Sequence, residues 1–187
     1  MKYCSACGAT LSVRIPPGDN RERYVCDACA AVHYQNPRIV AGCVLAWEHR
    51  VLLCRRAIEP RYGYWTVPAG FMENGETTAE AAAREAREEA CAEAADLVLY
   101  GLYNLRHIDQ VYVLFRGRLQ GGAARAGDES LEVDLFDRDE IPWSELAFPV
   151  VRETLERYFE ERADASFRVH YGDIVRGPDG RVRIHRR

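Results

Sequence analysis

Three glutamates, Glu85, Glu88 and Glu89, stand at offsets of zero, three and four, the spacing that brings side chains onto one face of a helix. Like charges on one arc weaken an isolated helix, so a positive partner is needed to offset them. Just upstream, Gly70, Gly75 and a further acid, Glu76, belong to a glycine-containing loop. Hard divalent cations such as Mg²⁺ take oxygen ligands from one or two carboxylates and keep room for phosphate oxygens. The stretch from Gly70 to Ala92 therefore reads as a metal platform for chemistry at a phosphate. An Ala/Glu/Arg run with pairs such as Arg84 and Glu88 is also the composition of a solvated surface helix. That alternative leaves Gly70, Gly75 and Glu76 unexplained.

A second constellation is Cys4, Cys7, Cys26 and Cys29, two CxxC pairs separated by the 18 residues Gly8 to Val25. Four thiolates at this spacing surround Zn²⁺ tetrahedrally and leave no open position, so the metal is structural. Two disulfides in a secreted protein are the rival. Lys2 and Tyr3 lead straight into Cys4 without an apolar run, which favours a reducing, cytoplasmic setting and a metal. Cys43, Cys54 and Cys91 read as small buried hydrophobes. The ribbon mixes Arg14, Arg21 and Arg23 with Asp19, Glu22 and Asp27. No basic stripe of the kind nucleic-acid binders show is present, so no nucleic-acid partner is expected.

The elements that must position these groups follow from periodicity. Thr77 with Glu80 makes a capping box, predicting a helix from about Thr78 to Ala90 with Ala79, Ala82, Ala83, Ala86 and Ala90 as its apolar stripe. WTVPAGF reads as a short strand ended by Pro68, with Gly70 supplying unusual backbone angles. Ile39–Trp47 and Val51–Arg56 read as a hairpin around EHR, and 97–105, 110–119 and 132–137 as further strands. Gly121, Gly122 and Gly127 mark a flexible loop, and Pro149 starts a helix carrying Val151, Leu155, Tyr158 and Phe159. Strands on both sides of one central helix imply an α+β sandwich. We expect a zinc ribbon over 1–34, a catalytic domain over 35–163, and a tail over 164–187 that forms a β-hairpin around GPDG. The 187 residues suit one core domain plus a small module, and no apolar run is long enough to span a bilayer. The near-exclusive use of arginine over lysine is put down to genome composition.

The acidic window resembles the Nudix box: Gly, five residues, Glu, seven residues, Arg-Glu, an aliphatic residue, any residue, Glu-Glu, any residue, Gly, an aliphatic residue. Gly70, Glu76, Arg84, Glu85, Glu88 and Glu89 fall at the matching places. Cys91 replaces the final Gly, leaving the helix end open, and Ala86 and Ala92 stand at the aliphatic places. The resemblance implies the Nudix fold, a mixed β-sheet sandwiched between helices. It also implies Mg²⁺ or Mn²⁺ on Glu85, Glu88 and Glu89 with the Gly70 carbonyl, and Arg84 orienting the acids. Glu129 or Glu132 would be the additional acid relatives supply from this region. With the ribbon, YQNP (34–37) and HYGD (170–173), the chain looks like the ADP-ribose/FAD diphosphatase branch. That implies a small-molecule nucleotide substrate, a mononucleotide and a second phosphate ester as products, and a homodimer. NADH pyrophosphatases also carry such a ribbon but have an SQPWPFP stretch that this chain lacks; a non-catalytic nucleotide sensor is the other alternative. For substrate contacts, Arg55 and Arg56 are candidates for phosphate. Tyr62, Trp65, Phe71, Tyr103 and Tyr112 are candidates for a planar ring, with a core role the commoner use of each, and His107 for a substrate or surface role.

Overall fold

The computed structural model describes residues 1–177 and 182–187, and the chain forms two compact units, Met1–Pro37 and Arg38–Arg187. The first holds three short antiparallel strands, β1 (Leu11–Arg14), β2 (Arg23–Cys26) and β3 (Val32–His33), in that order. So few residues build little apolar interior, and a unit of this size needs a staple.

The second unit is a mixed sheet with one helix on each face. Its strands are β4 (Arg38–Trp47), β5 (Arg50–Arg56), β6 (Trp65–Thr66), β7 (Ala69–Phe71), β8 (Ala94–Leu105), β9 (Gln110–Leu119), β10 (Ser130–Phe136), β11 (His170–Arg176) and β12 (Val182–Arg186). The main path runs β10-β5-β4-β9-β8-β11-β12, with β6 on β5 and β7 on β4. Strand β4 shows why two helices are needed. Val40 and Val44 point into one core, while Ala41, Cys43 and Leu45 point into the other. A strand buried on both faces reads as a continuous apolar run rather than an alternation. Helix α1 (Thr78–Ala90) covers one face with Ala81, Ala82, Ala86 and Ala90. Helix α2 (Pro149–Asp164) covers the other with Val150, Val151, Leu155, Tyr158 and Phe159. No helix among the described residues is long and apolar enough to cross a membrane.

Several expectations change in detail. Ala81 is fully buried whereas Ala83 is only half-buried, so the packed stripe of α1 is turned slightly from the expected one. WTVPAGF is not one strand: Pro68 has no N–H to give a ladder, and the segment divides into β6 and β7 on two different partners. The tail is not a free appendage either. Strands β11 and β12 pair antiparallel, and β11 adds to the sheet parallel to β8. Most of the GPDG turn between them, residues 178–180, lies outside the described residues.

Candidate active site and metal centre

The box helix starts where its cap dictates. The Thr77 hydroxyl accepts from the Glu80 amide (3.2 Å) while the Glu80 carboxylate accepts from the Thr77 amide (2.7 Å), which satisfies otherwise orphaned donors at both ends of the box. At the other end Cys91 takes the left-handed conformation (φ 46°, ψ 34°), its amide bonding back to the helix, and the Ala92 amide reaches the Ala86 carbonyl at 3.1 Å. The residue in the place of the family glycine thus performs the glycine's task.

Between these ends the acids fan around Arg84. Its guanidinium donates to Glu76 (3.1 and 2.8 Å), Glu85 (2.7 Å), Glu88 (2.9 Å) and the Phe71 carbonyl (3.0 Å). Arg84 holds the Glu76 carboxyl down at about 2, and these carboxylates in turn push the Arg84 guanidinium above its ordinary value. Glu85 and Glu89 are buried, 7% and 5% exposed, whereas Glu88 is exposed. Burial pushes the Glu89 carboxyl up to about 8 against the pull of the Ala69 amide, which donates to it at 3.1 Å. Glu85 is also raised by burial, with Arg84 opposing the shift. A Cβ on Gly70 would lie 2.3 Å from a Glu85 oxygen, so a side chain there would push that carboxylate from its place against β7.

A cation fits this arrangement. Glu85 feels the charges of Glu88 and Glu129, and Glu89 those of Glu85 and Glu129, while Arg84 pairs with Glu76, Glu85 and Glu88 and Arg56 attracts Glu89. Two of the acids are taken out of water without full compensation, the condition a hard divalent ion relieves. The acids do not form a closed cage: Glu88 leans on Arg84 and Glu89 on Ala69.

The structure separates the two later acids. Glu129 faces Glu85 and Glu89 closely enough to raise both. Glu132 lies opposite Arg55 in the β5–β10 ladder and is paired with it at 3.4 Å. The aromatic candidates separate as well. Trp65 is core, 7% exposed and edge-on to Phe136 with centroids 4.9 Å apart. Tyr103 and Tyr112 also belong to the core. Their rings fill the layer under α2 rather than the site, because a two-sided sheet consumes its large apolar side chains on both faces. Tyr62 and Phe71 remain exposed, and Arg38 stacks over Phe71 at 4.5 Å. Arg55 and Arg56 spend their Nε groups on the Gly63 and Pro60 carbonyls, at 3.0 and 2.9 Å, pinning the 57–64 loop. Arg56 is largely buried and also attracts Glu89. His107 sits in an exposed turn.

In the first unit the two CxxC turns are equivalent. Gly8 and Ala30 adopt positive φ (76° and 57°), and their amides donate to the Cys4 and Cys26 carbonyls at 2.9 and 3.0 Å. The four sulfurs lie within 4.8 Å of one another, with Cys4–Cys29 at 3.8 Å and Cys7–Cys26 at 3.4 Å. A tetrahedron with Zn–S of about 2.3 Å has edges of about 3.8 Å, so the residues fit zinc. The Cys29 amide is the main influence holding the Cys26 thiol down, while Cys7, against the pull of the Ala9 amide, is pushed up by hydrogen bonds to Cys26 and Cys29, so Cys26 is the readier thiolate of the two for a metal. His33, which no sequence signal had singled out, places Nε2 3.3 Å from the Cys4 sulfur. Its position follows from the β2–β3 pairing of Tyr24 with His33, a contact invisible in the CxxC spacing.

An acid-bearing helix laid on a mixed sheet, preceded by paired cysteine turns, defines the class of Nudix-fold proteins with a zinc ribbon. Family comparison agrees: the model described as "Nudix N-terminal" matches residues 2–35 and the NUDIX domain model matches 36–158. The chain belongs to the Nudix hydrolase family. It is similar to a NUDIX hydrolase of Nitrosomonas europaea of known crystal structure, with a TM-score of 0.89 and 51% identity over 93% of this chain and 99% of that one. An ADP-ribose pyrophosphatase of Methanocaldococcus jannaschii is 31% identical over 62% of this chain and 69% of its own length. A NAD-capped RNA hydrolase NudC of Vibrio atlanticus is 26% identical over 89% of this chain, which spans 60% of that relative.

Proposed function

We propose that the chain hydrolyses the diphosphate linkage of a nucleoside diphosphate joined to a second moiety, with ADP-ribose the first substrate and FAD the second. The observation that carries this reading is the pair of buried, undercompensated acids Glu85 and Glu89 flanked by Glu88 and Glu129. A Mg²⁺ or Mn²⁺ held there by Glu85, Glu88, Glu89 and the Gly70 carbonyl would neutralise the diphosphate and polarise its phosphorus. Arg84 keeps Glu85 and Glu88 oriented through paired hydrogen bonds. Glu129 holds the attacking water and takes its proton as the water oxygen bonds to one phosphorus and the bridging P–O bond breaks. The leaving phosphate departs as the second ester. Arg56 is the favoured phosphate contact, and the exposed Phe71 and Tyr62 are the rings left for a planar base.

The Methanocaldococcus relative supports ADP-ribose. The Vibrio relative, a NAD-capped RNA hydrolase, supports a NAD-capped RNA substrate as the second reading, against which the missing SQPWPFP stretch counts. All box acids are retained, which argues against a sensor. Zinc in the ribbon is structural, held by the Cys4, Cys7, Cys26 and Cys29 thiolates, and such a zinc–thiolate site suits a reducing cytoplasm. Product release from ADP-ribose, FAD and NADH with Mg²⁺, compared with Glu88→Gln and Glu89→Gln, tests the reading. We expect the variants to lose about 10²-fold or more in kcat. Turnover no higher in the wild type than in these variants would favour the sensor.

A further inference from the structure

We infer that residues 120–130 are a strap that seats Glu129 over the acid cluster, and that Gly127 is the residue through which the strap is fixed to α1. The inference rests on the reading of Glu129 given above. A glycine-rich connector of this kind suggests slack, but its backbone is committed. The last carbonyls of a helix have no partner within it. In α1 the Cys91 and Ala92 amides cover the Arg87 and Ala86 carbonyls, while the Gly127 amide donates to Glu89 (3.0 Å) and the Arg125 amide to Ala90 (2.9 Å). The strap therefore caps the helix at one of the acid residues themselves.

The fit admits no side chain. A Cβ at Gly127 would lie 1.7 Å from the Glu88 carbonyl oxygen and 2.8 Å from its carbon, and both are helix backbone that cannot swing aside. Two residues on, the Glu129 carbonyl accepts from the Ala57 amide at 2.8 Å, and the Ser130 amide closes back on Gly127 at 3.1 Å. Upstream, Gly122 lies so close to the Trp47 indole that a Cβ there would come within 2.4 Å of it. Glu129 is thus located by its neighbours on both sides, and Gly127 is a positioning residue that acts through it.

The test measures kcat and KM for ADP-ribose with Mg²⁺ in the full chain. Gly127→Ala must lift the strap, and misplacing a reacting group by about 1 Å costs about 10²-fold. We expect kcat to fall about 10–100-fold with KM changed less than about twofold. Glu129→Gln sets the reference loss. The double variant should be no slower than Glu129→Gln alone, since groups acting as a unit lose their effect together. A purely structural lesion would multiply with it instead. Ala126→Ser, exposed and one residue away, should keep the wild-type rate. If Gly127→Ala does not fold, Arg125→Pro carries the same cycle by deleting the amide that caps Ala90. A full rate in Gly127→Ala beside a slow Glu129→Gln overturns the strap alone, as do multiplying losses. Full rate in Glu129→Gln overturns both the strap and the role of Glu129, and a wild type without turnover overturns the functional reading.

Discussion

Arg84 gathers more of the site than any other side chain. A guanidinium presents donors in a rigid fork, whereas an ammonium is a point charge, and here the fork serves Glu76, Glu85, Glu88 and the Phe71 carbonyl together. Arg84→Lys keeps the charge and loses the geometry. Its expected effect is a 10–100-fold rise in the Mg²⁺ concentration needed for half activity, the range found when residues that orient metal ligands are removed. A Mg²⁺ titration of activity reads it, and an unchanged midpoint would mean that Arg84 supplies charge alone. Cys91 makes a prediction of opposite sign. A side chain in the left-handed region costs about 1–2 kcal/mol, and glycine gives back about 0.5–1 kcal/mol of that through its freer unfolded chain. Cys91→Gly should therefore stabilise the protein by about 0.5–1 kcal/mol, read as a higher denaturant midpoint at unchanged slope.

At the scale of elements the site depends on how closely β7 lies on β4. Gly42 pairs with Ala69, and a Cβ there would come within 2.4 Å of the Ala69 Cβ and 2.6 Å of the Pro68 carbonyl oxygen. Gly42→Ala must push β7, and with it Gly70, off the sheet. Overpacking of this kind costs about 1–3 kcal/mol, and we expect the melting temperature and kcat to fall together; full activity in a destabilised variant would separate β7 from the site. Much of the arrangement was legible in the chain. The Thr77/Glu80 box marked where α1 starts, the alanine spacing marked most of its packed face, and the paired CxxC turns marked the metal knuckles. These features are local, decided within a few residues. What was not legible is what sheet topology decides at long range. Trp65, Tyr103 and Tyr112 could serve as core or as ring platforms by residue type, and it is the layer under α2 that makes them core, while Gly127 looks like slack until the end of α1 arrives against it. Glu129 and Glu132 are three residues apart and of one type. Only the register of β10 on β5, which gives Glu132 to Arg55, tells them apart.

For the whole molecule, the C-terminal hairpin completes the catalytic unit. Ile174 is 2% exposed, Phe167 and Ile184 pack on the α2-side core, and β11 covers what would otherwise be the open edge of β8, a surface that invites pairing with other chains. Two acids of α2 fasten it. Glu161 binds the Tyr100 hydroxyl (3.0 Å) and Arg168 (3.1 Å) and lies 2.9 Å from His170, and Glu153 binds Arg157 (3.2 Å) and Arg186 (2.9 and 3.0 Å). The Glu153 side chain is 3% exposed; burial alone would raise its carboxyl, but Arg186 and Arg157 hold it below the ordinary carboxylate range. A group whose folded value is depressed contributes stability above its unfolded value of about 4.3 and loses that contribution as the pH falls through the folded value. Arg186→Ala leaves Glu153 buried with one partner, at an expected cost of about 2 kcal/mol at pH 7. That gap should narrow as the pH falls through the depressed folded value of Glu153, because protonating Glu153 ends the ion pair in wild type and variant alike. Urea unfolding of both proteins from pH 7 down through the acid range reads the gap. A gap unchanged across that range would mean that Arg186 holds the hairpin by packing its methylenes, and that the charge of Glu153 has no part in joining β12 to α2.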